Sequence, residues 1–178
     1  LDGTTIKSRS SLTAPPNGPT LQGTETAWAF AGTAYRDASN NLVKVRMRRS
    51  WMDYEAAQVA LNAGGATAET AVSLTTLVPA IARAMRLGID WIRISIGTNT
   101  HGGTTLHIRY ISGSEYYSPY VHDEGLAMGS PNFYVPGGTI EVPNVSQQFF
   151  YHHSLDGGTS AAAAYVNVLG YQVPNGDV

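Results

Sequence analysis

From Ile89 to Ile111 the chain reads IDWIRISIGTNTHGGTTLHIRYI, with Ile92, Ile94 and Ile96 on alternate positions, a turn-rich interruption, and Leu106, Ile108 and Tyr110 resuming the alternation. Apolar residues at every second position mark a strand buried on one face, and two such runs around a Gly-rich break predict a β-hairpin. Arg93, Ser95, His107 and Arg109 fall on the outer face of that hairpin. The remaining apolar segments must then cover its inner face.

A second hairpin is predicted from Thr26 to Met52. Its first arm, TAWAFAGTAYR, places Trp28 and Phe30 on one side, and DASNN supplies residues that tolerate left-handed backbone. In the return arm, LVKVRMRRSWM, Val43, Val45, Met47 and Trp51 share one face while Lys44, Arg46 and Arg48 share the other. Asp53 to Ala63 reads as a short helix capped by Asp53 and ended by Gly64. AVSLTTLV predicts a strand stopping at Pro79. AIARAMRLG suits either a second short helix, from Pro79 to Gly88, or an irregular lead into the Trp91 strand. SGSEYYSPYVHDEGLAMGSPN reads as a long irregular segment, followed by strands at FYV, TIEV, QQFFYHH and AAAAYVNVLGYQV. Short strands, few helices and long loops near residues 55–71 and 112–132 predict an all-β fold. The specific expectation is an antiparallel β-sandwich, jelly-roll-like, with one or two short helices. Residues 1–24 show no period and carry Pro15, Pro16 and Pro19, which predicts an extended N-terminal arm before a single sandwich domain over 25–178.

Composition supports this assignment and excludes some chemistry. The 178 residues include 19 glycines and nine prolines, and only 13% are charged. With no cysteine, disulfides, zinc–thiolate sites and thiol catalysis are excluded. No apolar run reaches the roughly 18 residues of a membrane helix, so no membrane partner is expected. All eleven Lys and Arg lie between Lys7 and Arg109, whereas residues 111–178 carry only acids. If the sequence halves occupy different faces, copies of the chain meet basic face to acidic face.

From about Val72 onward, SLTTLVPA, IDWIRISI, TLHIRY and QQFFYHHSLDGGTSAAAAYVNVLGYQV, closing on Leu169, Gly170 and Tyr171, resemble a β-sandwich domain of tailed-phage virion proteins. That family includes tail and neck fibres and head decorations. The resemblance implies a non-enzymatic, often oligomeric building block on a virus particle. The basic hairpin ending at Trp51 lies outside the matching part.

Few residues suggest a reactive centre. His122, Asp123 and Glu124 adjoin one another and suit a divalent ion only if they sit on a loop, because neighbours on a strand point apart. His152 and His153 likewise point apart, leaving one of them to meet His107 across a sheet. No nucleophile elbow or phosphate-binding Gly loop is present, and Asp90, Glu115, Asp123, Glu124 and Glu141 are the carboxylates from which a glycoside-hydrolysing pair would be drawn, although the sequence places no two of them across a cleft. Lys44, Arg46, Arg48 and Arg49 beside Trp51 form a basic cluster, but the net charge is -2 and no nucleic-acid module fits, so nucleic acid is not an expected partner. Tyr116, Tyr117 and Tyr120 crowd one loop and offer rigid amphipathic contact area.

These observations predict a structural virion protein with no enzymatic activity and no metal or other cofactor. It is expected to act as a capsid decoration, neck or tail-fibre component. A homo-oligomer is expected, a trimer in the first instance, with the N-terminal arm engaging other virion proteins. The expected contact surface comprises Lys44, Arg46, Arg48, Arg49, Tyr116, Tyr117, Tyr120 and His122. The alternative is a carbohydrate- or receptor-binding module, with Tyr116, Tyr117, Tyr120, Trp91 or His122 stacking on a surface glycan.

Overall fold

Alternation of buried and open positions marks much of the strand structure in the residues described by the structure, a computed structural model covering 41–96, 101–114, 118, 120–123 and 132–174. Among the described residues ten strands run β1 (Val45–Arg48), β2 (Trp51–Gly64), β3 (Thr70–Ser73), β4 (Ala84–Ile96), β5 (Gly102–Arg109), β6 (Tyr120–Asp123), β7 (Asn132–Val135), β8 (Thr139–Pro143), β9 (Gln148–Gly157) and β10 (Thr159–Gln172). They form two antiparallel sheets. The first has the order β1-β2-β10-β4-β7, with β8 also paired to β4, and the second has the order β3-β9-β5-β6.

The pairing is that of a nested hairpin. β5 pairs β6, β4 pairs both β7 and β8, β3 pairs β9, and β2 pairs β10. Successive pairs fall alternately in the two sheets, and β10–β4 and β9–β5 pairing then completes each sheet. The C-terminal strands therefore lie between N-terminal ones, so the split of charge along the sequence is not a split between sheets.

Both sheets contribute their inner faces to one core. Ile92, Ile94 and Ile96 of β4 and Val166, Val168 and Tyr171 of β10 belong to the same buried cluster as Leu106 and Ile108 of β5 and Phe149 and Tyr151 of β9. Tyr54 meets Tyr171 edge-on, with centroids 5.8 Å apart, and donates its hydroxyl hydrogen to the Leu77 carbonyl. Burial of apolar area on this scale is the main stabilising term.

Several expectations are corrected. No described residue is helical. Asp53–Ala63 is strand, because β10 supplies a long run of backbone partners and sheet pairing overrides the helix propensity of Ala, Glu and Gln. The segment read as a possible second helix turns at Pro79–Ile81 and becomes β4 at Ala84. The arms around Ile94 and Ile108 form no hairpin: β4 and β5 lie in different sheets, and their apolar faces join the one core instead of aligning in one layer. The basic return arm is broken at Arg49–Ser50, where Arg48 pairs with Trp51 and Arg49 adopts φ 57°. The predicted strand AVSLTTLV ends at Ser73, and its TTLV part is a turn. The expected loop over 112–132 contains β6. The N-terminal arm, residues 1–24, and the hairpin arm carrying Trp28 and Phe30 lie outside the described residues.

Candidate contact surface

The outer face of the first sheet carries a charged row that crosses four strands. Register aligns Asp53 of β2 with Gly170 of β10, Gly170 with Arg86 of β4, and Arg86 with Glu141 of β8. The Arg86 guanidinium donates to Asp53 Oδ1 at 2.9 Å and to Glu141 Oε1 at 2.8 and 3.2 Å, and lies 4.3 Å from the centre of the Trp51 ring. Gly170 makes the crossing possible, because a Cβ there would come within 2.6 Å of the Met52 carbonyl oxygen and 3.2 Å of Asp53 Oδ1. A delocalised guanidinium suits this place, since it bonds carboxylates in its plane and stacks on an aromatic face.

The basic cluster continues the row to the end of the sheet. Lys44 precedes β1, Arg46 and Arg48 project from it, and Arg49 occupies the turn. Lys44 and Arg46 share Glu55 at 3.9 and 3.7 Å, and Arg48 reaches Asp53 at 3.8 Å. These are long, solvent-exposed pairs, each worth about 0–1 kcal/mol. The cations thus remain available to an outside partner. Met47, opposite buried Met52, keeps the inner face of the sheet that its spacing predicts, away from Arg46 and Arg48, but at this edge strand it is 53% exposed; Leu42, ahead of β1, is 63% exposed.

The second sheet presents a different chemistry. His107 of β5 and His152 of β9 are register partners whose rings stack at 4.3 Å and 7°. His107 Nε2 lies 3.0 Å from Ser154 Oγ, and its Nδ1 lies 3.1 Å from Ser118 Oγ. Parallel stacking does not aim two in-plane lone pairs at one point, and among the described residues no three metal-ligating side chains cluster. A serine and an imidazole at this distance are the start of a nucleophile–base pair, which further requires donors for a developing oxyanion. His153 points the other way, into the core, 3.2 Å from Thr104 Oγ1 and 3.1 Å from the Gly64 carbonyl oxygen. Burial lowers its pKa below 6.5.

Nearby, Glu69 ties the start of β3 to the end of β5. It accepts from Arg109 at 2.6 Å, from the Gly113 N–H at 3.2 Å and from the Ser112 hydroxyl. The Ser112 hydroxyl above all, then Arg109 and the Gly113 N–H, hold the Glu69 carboxyl at about 2, well below the usual 4.5.

The eight contact residues expected from sequence do not form one described cluster. Lys44, Arg46, Arg48 and Arg49 stand together at the end of the first sheet. Tyr120 and His122 lie on β6 in the second sheet, in register with Thr105 and Gly103, and Tyr116 and Tyr117 lie outside the described residues. His122 and Asp123 are consecutive strand positions, which removes the loop that the divalent-ion reading required; Glu124 lies outside the described residues. The row through Arg86, Asp53, Glu141 and Trp51 was not anticipated, because its members come from three separated segments. Its only signal in the sequence was Gly170 inside an otherwise bulky strand, which marks a close approach. No protein-family model matches the chain, and no curated protein matches it either.

Proposed function

We propose that the chain is a non-enzymatic structural protein of a virus particle, built as a jelly roll and assembling as a homo-oligomer, with a trimer favoured. The nested pairing of β5–β6, β4–β7/β8, β3–β9 and β2–β10 carries the reading, since nested antiparallel pairs divided between two sheets are what a jelly roll, an architecture of viral capsid and lectin domains, would require. The sequence resemblance to tailed-phage virion sandwiches points in the same direction.

Docking occurs through the basic hairpin. The exposed cations on the outer face of this edge hairpin form a strip suited to an acidic protein surface. Arg49 holds a left-handed backbone that costs a non-glycine residue about 1 kcal/mol, a cost that persists where a side chain has a use. The N-terminal arm adds a strap to a neighbouring virion protein.

The test is co-sedimentation of the full chain with purified particles grown without it. Binding is expected for the wild type and is expected to weaken in the double variant Arg46→Glu, Arg48→Glu. A chain that stays in the supernatant contradicts the proposal.

A further inference from the structure

β4 is interrupted near its centre by a bulge. Ile89 pairs with Val166 and Trp91 with Tyr165, so Asp90 is the extra residue. The bulge turns two consecutive side chains, Asp90 and Trp91, out to solvent between the buried Ile89 and Ile92, and Trp91 is 48% exposed. A large indole shown in the middle of a sheet face needs a purpose, and bulges recur where a strand must re-aim a side chain for a site.

The surroundings of Trp91 define what it can hold. Tyr165 lies beside it on β10. Asn167 Nδ2 donates to Asp90 Oδ2 at 2.5 Å, which fixes the carboxylate and leaves its other oxygen to accept from a hydroxyl. Arg93, two residues along the same face, is half-buried, and among the described residues it makes no ion pair; its partner across β10 is Ala163, which offers no counter-charge. Trp91 and Arg93 are about 7 Å apart along the strand. The face therefore combines an aromatic platform, a fixed hydroxyl acceptor and a guanidinium with no ion pair among the described residues.

We propose that this face binds a carbohydrate bearing a carboxylate, such as a uronic or sialic acid oligosaccharide. The apolar face of one pyranose stacks on Trp91, a ring hydroxyl donates to Asp90, and the sugar carboxylate pairs with Arg93 through two parallel hydrogen bonds. A neutral sugar satisfies the first two contacts and leaves Arg93 unused. This site goes beyond the assembly role and stands whether or not the chain docks on a particle.

The test is an array carrying neutral, uronic-acid and sialic-acid oligosaccharides, probed with the labelled full chain, followed by calorimetry with the best-bound acidic member. Binding confined to acidic members is expected, about tenfold or more weaker in Trp91→Ala and in Arg93→Met. Neither side chain belongs to the buried core, so thermal melts should stay close to the wild type; if Trp91→Ala fails to fold, Arg93→Met carries the same reading. Absence of binding, equal binding to neutral members, or binding unchanged by Arg93→Met overturns the proposal.

Discussion

Two side chains, His153 and Glu69, contribute to the response of this protein to acid. An unfolded histidine titrates near 6.5, and His153 in the fold titrates lower because burial penalises its charge. Between those values the unfolded chain binds more protons, so the contribution of His153 is complete above pH 6.5 and is lost as pH falls through its folded value. Urea midpoints should therefore drop between pH 7.5 and pH 5, and His153→Asn should flatten that slope. Glu69 acts in a lower window: its contribution is complete above pH 4.5 and is lost as pH falls toward 2. Glu69→Gln should remove that limb of the profile, read by thermal melts from pH 5 to pH 2. At the β1–β2 turn, Arg49→Gly relieves a φ of 57° and should raise stability by about 0.5–1 kcal/mol, checked by chemical denaturation. The facing of Arg93, Ser95, His107 and Arg109 was legible in the sequence, since period two states which side of a strand a residue takes. The stack of His107 on His152 was legible only as an option, because register across strands depends on pairing that no local pattern states.

Strands are where local reading and the fold part company. Ile92–Ile96 and Leu106–Ile108 were recognisable as strands, yet their pairing as a hairpin was not correct, because a short Gly-rich break serves equally for a turn within one sheet or a crossing between two. The crossing is marked by Gly157, at φ 57°, whose position against the His101 carbonyl admits no side chain, and by the Gly158 N–H, which donates to that carbonyl at 2.5 Å. In β2, Ala and Gln favour a helix in isolation and take a strand only because β10 lies alongside. β10 depends on Gly170 in turn: Gly170→Ala forces a Cβ against the Met52 carbonyl and separates Arg86 from Asp53. It should cost about 1–3 kcal/mol in equilibrium unfolding. Arg86→Met, which keeps the stem but loses both carboxylates, should cost less, about 1 kcal/mol.

At the scale of the molecule, one core joins two sheets, and the outer faces are left to differ. The first sheet offers cations and Trp91; the second offers stacked histidines and a buttressed carboxylate. Because Ile94 and Leu106 have no exposed surface and belong to the shared cluster, Ile94→Ala or Leu106→Ala should cost about 2–5 kcal/mol and should lower the melting of both sheets together. A rigid shell with unlike faces is what a repeated building block requires, since each copy must meet its neighbours in one orientation. Native mass spectrometry of the intact chain at micromolar concentration is the most direct test of that claim. A discrete homo-oligomer, with the trimer dominant, is the predicted result; a monomer at every concentration contradicts it.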